Sequence, residues 1–157
     1  MGATESLAIE NFSHVCIGVS DMDAALEFYT RVLAMDVVFD VTLDGAGLDT
    51  VTGTSGAQGR MVGGLIGGAM VELLDLGDVP PTPEGPHRGY TNISFRVRDI
   101  DDTYRRLVTH EGVRCTPATE IAGVRMLFVY DPDGTPIEMI ELPGNAGTTV
   151  DMWRPSA

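Results

Sequence analysis

Two glutamates stand where strands ordinarily take aliphatic side chains. Glu138 lies in FVYDPDGTPIEMIEL and Glu72 in IGGAMVELL, each four residues after a turn glycine, Gly134 or Gly68, and each between apolar neighbours. A carboxylate in such a place is costly unless it is paired, protonated or bound to a cation. His14, in FSHVCIGV, adds an imidazole. One imidazole nitrogen and two carboxylate oxygens make a donor set for zinc, iron, nickel, cobalt or manganese. With such an ion, a nearby carboxylate could move a proton on carbon next to a carbonyl. The competing reading places one or both glutamates at an exposed sheet margin as ordinary solvated charges.

The elements that must position these residues occur twice. VCIGVSDMDAALEFY from Val15 matches ISFRVRDIDDTYRRL from Ile93, an offset of 78 residues. Each copy has an alternating apolar strand, then Val-x-Asp, then apolar residues at a helical period near 3.6. Asp21 and Asp99 stand as caps of the two helices. The two glutamate segments match at an offset of 66, so the first copy carries about twelve extra residues, assigned to the Gly- and Thr-rich stretch Asp44 to Gly59. The pattern predicts an α+β fold of two βαβββ modules, 9–77 and 88–143, with strands near 11–19, 36–43, 60–67, 69–76, 90–97, 113–119, 124–131 and 135–142. GDVPPTPEGPHRG reads as the linker. Residues 144–157 read as a tail, mobile or packed on a neighbour.

Neither half can bury a core alone, so the halves are expected to pair about a pseudo-twofold axis, with helices outside and curved sheets enclosing a cavity. Strand alternation sends Val15, Ile17 and Val19 to the helix and His14, Cys16 and Gly18 to the cavity. In the second copy Asn92, Ser94 and Arg96 face inward, so that His14 and Asn92 match, as do Glu72 and Glu138. Asn92, Ser94, Arg96 and Cys16 are therefore candidate substrate contacts. Cys16 also reads as a small core thiol, and Arg96 as one half of an internal ion pair. His87 reads as a loop-capping or exposed histidine, with completion of a metal site as the alternative; His110 reads as a surface residue at a helix end.

Composition bounds the rest. The chain has 157 residues, 43% hydrophobic and 21% charged, with a formal net charge of −13. That field repels polyanions and anionic membranes, which argues against nucleic-acid binding. No apolar run approaches the roughly 18 to 20 residues of a membrane span, the N-terminus lacks a signal-peptide pattern, and the two cysteines lack metal-site spacing. A cytoplasmic protein with a small-molecule substrate is expected.

The segments FSHVCIGVSDMDAALEFYTRVLAMDV, MVELLDL, YTNISFRVRDIDDTYRRL and FVYDPDGTPIEMIEL together resemble the vicinal oxygen chelate superfamily of glyoxalases, bleomycin-resistance proteins and dioxygenases. The resemblance spans roughly residues 11–143. It implies a divalent metal held by a histidine on the first strand, an acid, amide or histidine on the fourth, a histidine on the fifth and a glutamate on the eighth. His14, Glu72 and Glu138 match three of these, whereas Asn92 replaces the fifth-strand histidine, and an amide oxygen is a weaker ligand. The implied activities are isomerase or lyase chemistry of the glyoxalase I or methylmalonyl-CoA epimerase type, with either Glu72 or Glu138 leaving the metal to serve as the base. Ring-opening oxygenation and thiol transfer to fosfomycin are disfavoured, because both resemble two-histidine sites. The alternatives are a small-molecule-binding protein and a metal-independent isomerase or cyclase. The resemblance also implies a homodimer.

Overall fold

A computed structural model describes residues 7–154; the first six residues and the last three of the tail lie outside the described residues. The chain forms two mixed sheets. The first has the order β1-β4-β3-β2, from β1 (Val15–Gly18), β2 (Asp36–Leu43), β3 (Gly59–Ile66) and β4 (Ala69–Asp75). The second has the order β5-β9-β8-β6, from β5 (Ile93–Arg96), β6 (Arg114–Cys115), β8 (Val124–Tyr130) and β9 (Pro136–Glu141), with β7 (Thr119–Ile121) paired to β8. In each sheet the first strand runs parallel to the last, which a crossover helix permits: α1 (Met22–Arg31) in the first and α3 (Ile100–Leu107) in the second.

The caps read from the sequence are present. Asp21 accepts from the Ala24 N–H and Asp99 from the Asp102 N–H, at 3.0 and 2.8 Å. Each helix lays its apolar stripe on its sheet. The helix-facing residues Ile17, Val62, Val71 and Leu73 join Ala25, Phe28 and Tyr29 in one cluster, which is continuous with Ile100, Leu107, Leu127, Val129, Ile137 and Met139. The core is thus shared between the two halves.

Several expectations need correction. The first strand is shorter than 11–19, so His14 lies just before β1; likewise Asn92 lies just before β5. The strand expected at 113–119 is broken at Thr116–Ala118, where Pro117 has no N–H to give to a ladder. The insertion is not only loop: it holds α2 (Ala46–Thr52), ended by Gly53 in the left-handed region at φ 69°. The tail folds into a turn of 3-10 helix, Pro143–Asn145, and a short α4 (Thr149–Trp153), which starts with a capping box between Thr148 and Asp151. Arg60 pairs with Asp40 and Asp23, and Arg125 with Asp101, all on the periphery.

The halves are tied by a buried polar contact. The Tyr29 hydroxyl donates to Asp131 Oδ2 at 2.9 Å, and both residues are buried. The other oxygen of Asp131 accepts from the Asp133 and Thr135 N–H groups and so shapes the β8–β9 turn. Asp133 in turn accepts from the N–H and hydroxyl of Ser20, just ahead of α1. Burial, followed by the negative charge of Asp131, drives the Tyr29 phenol far above its ordinary range. Burial also pushes the Asp131 carboxyl up, against the opposing pull of its hydrogen bonds.

Tyr29→Phe leaves a buried carboxylate oxygen without its donor and is expected to cost about 1–3 kcal/mol in urea unfolding. A folded pKa above the ordinary 3.8 means that the native state holds this proton more tightly than the unfolded chain. The stabilisation is therefore full below the ordinary value and is lost as pH rises through the raised one. Asp131→Asn is expected to flatten that part of the profile of unfolding free energy against pH.

Candidate functional site

Register places the two glutamates in equivalent rows. In the first sheet Cys16 stands opposite Glu72 across the parallel β1–β4 pair, and Gly63 stands opposite Glu72 across β3–β4. In the second, Ser94 and Phe128 flank Glu138 in the same way. The rows therefore read Cys16, Glu72, Gly63 and Ser94, Glu138, Phe128. Both lie on the face away from the helix, because the residues of opposite parity, Val71, Leu73, Ile137 and Met139, are buried.

His14 and Glu72 come together. The imidazole Nε2 lies 3.3 Å from a Glu72 carboxylate oxygen, with side-chain exposures of 42% and 14%. The other ring nitrogen, Nδ1, lies 3.0 Å from the Ser13 hydroxyl. When Nδ1 carries the proton and donates it to Ser13, the Nε2 lone pair is left directed toward Glu72. The 3.3 Å gap exceeds the roughly 2.7–2.9 Å of a charge-assisted hydrogen bond. It is close to the edge, about 3.3 Å, of a tetrahedron of ligands each about 2.0 Å from a metal. The donor chemistry and spacing of this pair thus suit two ligands of one cation.

Glu138 does not join them within one chain. Among the described residues no three His, Cys, Asp or Glu side chains gather closely enough to hold a metal ion. The expected meeting of His14, Glu72 and Glu138 around one centre is thus not found among the described residues. The halves are joined through α1 and the β8–β9 turn, and both polar rows stay partly open to solvent within the chain. His14, Cys16, Asn92 and Ser94 are exposed, and Glu72, Glu138 and Arg96 are half-buried.

Side chains that sequence reasoning did not single out shape the first row. A Cβ on Gly63 would lie 2.2 Å from the Phe39 ring, so that ring occupies the space beside Glu72 that a side chain at 63 would fill. Paired glycines in an otherwise apolar strand were the available signal, since they mark close approach by another group. Ser13 gave none beyond its place beside His14. His87 caps its own loop, with its ring nitrogens 3.0 Å from the Gly85 carbonyl and 2.9 Å from the Tyr90 carbonyl, which raise its pKa in that order.

Two repeated α+β modules, each with a polar row on the sheet face opposite its helix, define a duplicated-sheet protein. The chain belongs to the Glyoxalase/Bleomycin resistance protein/Dioxygenase superfamily, whose description residues 11–139 match. It is similar to a 2-epi-5-epi-valiolone epimerase from Actinomyces sp., 27% identical over 90% of this chain and 87% of that protein. Among solved structures, a glyoxalase family protein from Bacillus cereus superposes with a TM-score of 0.71 at 21% identity, covering 90% of this chain and 98% of that one. The fosfomycin resistance protein FosX from Listeria monocytogenes, solved with Mn(II) and sulfate ion, superposes with a TM-score of 0.59 at 18% identity, covering 85% and 93%. The superfamily and fold read from the sequence are borne out. No helix among the described residues is long and apolar enough to cross a membrane.

The Cys16 thiol is pushed above its ordinary range, first by burial of its surroundings and then by the charge of Glu72. Glu72→Gln removes the second cause. In chelator at about pH 8, alkylation of Cys16 by iodoacetamide is expected to proceed severalfold faster in that variant, with Cys115 unchanged, as read by peptide mass spectrometry.

Proposed function

We propose that the chain is an isomerase of the epimerase kind, acting on a small oxygen-rich substrate as a homodimer. In that dimer the first-sheet face of one copy meets the second-sheet face of the other. The observation that carries this reading is the pair of half-sites: His14 with Glu72 on one open face, and Glu138 in the equivalent row on the other.

Exposed area supports the second copy. The chain exposes 10899 Å² against roughly 7700 Å² for a compact monomer of this length, and part of that excess lies on the extended segments before β1 and between β4 and β5, where Leu7, Ile9, Phe12 and Tyr90 are exposed. Apolar side chains contribute to the excess on the Glu72 face itself, where Val41 and Leu65 are 42% and 37% exposed. Closing two such faces would bury area on the scale of an obligate dimer. It would also bring His14 and Glu72 of one copy against Glu138 of the other and complete a three-donor set for a divalent cation.

The cation would be held by His14, Glu72 and Glu138, and when bound it supplies Lewis-acid polarisation of a substrate oxygen. The chain's own groups do the rest. Ser94 and Asn92 line the second face as hydrogen-bonding groups, and Cys16 fills the first face beside Glu72. A carboxylate on one face takes the proton from the carbon next to the carbonyl, and a carboxylate on the opposing face returns a proton from the other side, which inverts that carbon. The similarity to an epimerase over most of both chains favours this over glyoxalase-type chemistry. Asn92, in place of the family's fifth-strand histidine, favours a second reading in which the same dimer face sequesters a small molecule unchanged.

Mixing tests the shared site on which both readings rest. His14→Ala and Glu138→Ala are each expected to lose bound metal, measured by plasma mass spectrometry after loading and desalting. Unfolded together and refolded, they are expected to regain about a quarter of the wild-type metal, because half of the random pairs are mixed and each mixed pair carries one intact site of two. Failure to regain any metal, with light scattering showing a dimer, would remove the shared site. Full metal in either single variant would remove the ligand assignment.

A further inference from the structure

The halves meet at two places that the repeat makes equivalent, and the two contacts differ. At one, Tyr29 donates to Asp131 and Ser20 donates to Asp133. The offsets that equate Val15 with Ile93 and Glu72 with Glu138 also equate Tyr29 with Leu107, Ser20 with Arg98, Asp131 with Leu65 and Asp133 with Gly67. Those residues cannot rebuild the polar contacts. A cavity of about 720 Å³ opens there instead, between the end of α1, the β3–β4 turn, the free edge of β5 and α3.

Its charge runs against that of the whole chain. The chain has 23 acids against 10 lysines and arginines, yet the cavity is lined by Arg31, Arg96, Arg106 and His110 and by no carboxylate-bearing residue. Arg31 and Arg106 are drawn toward acids on their own helices, Glu27 and Asp102. Arg96 has no such partner among the described residues: one terminal nitrogen donates to the Asn145 side chain, while its Nε is buried without a hydrogen bond. The guanidinium is thus left without a carboxylate beside it, and its charge lies on the wall of the cavity, where an anion can pair with it. Phe95 and Leu107 supply apolar walls, and the volume suits a small organic molecule.

We infer that this junction cavity binds a small amphiphilic anion, a carboxylate or phosphate monoester on a short apolar body. Its head meets Arg96 and its body lies against Phe95 and Leu107. The site lies between the modules, beside the free edge of β5, and its existence does not depend on the metal chemistry proposed for the open faces.

Isothermal titration of the purified full chain in chelator with octanoate and with octyl phosphate tests this. Both are expected to bind saturably at one equivalent per chain, whereas octylammonium and octanol at matched concentrations give no saturable heat. Arg96→Gln is expected to weaken octanoate by about tenfold or more, the loss of a charged hydrogen bond. Ala69→Phe, which fills the mouth of the cavity from the start of β4, is expected to abolish binding; Arg105→Gln, on α3 but outside the lining, leaves it unchanged. Circular dichroism confirms that each variant is folded. Saturable octanol binding equal to octanoate, binding indifferent to both Arg96→Gln and Ala69→Phe, or no binding by either anion would overturn the proposal.

Discussion

The rest of the structure depends on where the two halves touch. A phenol on α1 and a carboxylate at the β8–β9 turn are both withdrawn from water and satisfied by one another. Buried polar groups of this kind tolerate few alternative arrangements, since any displacement leaves each without a partner. The bond therefore fixes a helix of one module against the hairpin of the other. With that contact made, the sheet faces that carry the glutamates stay partly open within the chain.

The duplicated sheets show how a strand keeps a charge at its centre. In both rows the glutamate is flanked across the parallel pair by a small polar or thiol side chain, Cys16 or Ser94, while the next strand offers Gly63 or Phe128. Their neighbours of opposite parity, Val71, Leu73, Ile137 and Met139, are apolar and buried. The cost of placing an acid there is met by the open face, and in the first sheet by the His14 imidazole held toward it.

Much of this was legible in the residues. The offset between Val15 and Ile93, the two capping aspartates and the alternation of β1, β4, β5 and β9 gave the modules, the helix positions and the face of each candidate residue. Alternation says which face a side chain takes but not which module that face will meet. The intrachain packing depended on Tyr29 and Asp131, which sit 102 residues apart. Neither belongs to a local pattern that pairs them. The helix α2 was hidden for a different reason: Gly and Thr are poor helix formers, and the segment is held by local devices. Thr50 and Thr52 bond back to carbonyls one turn earlier, and Asp49 accepts from the Ala57 N–H. The short tail helix was announced by Thr148 and Asp151, three residues apart, a signal of the same local kind.

The aromatic ring of Phe39, laid over Gly63, has no counterpart in the second sheet, where the place of Gly63 is taken by Phe128, rooted in the strand itself. Duplication created two related walls, and this difference makes them unlike. A chiral molecule laid across both walls meets an aromatic surface borrowed from a neighbouring strand on one side and one that belongs to the strand on the other. Its two end-for-end poses are therefore inequivalent in energy, so a fold with internal symmetry can still fix which way round a molecule lies.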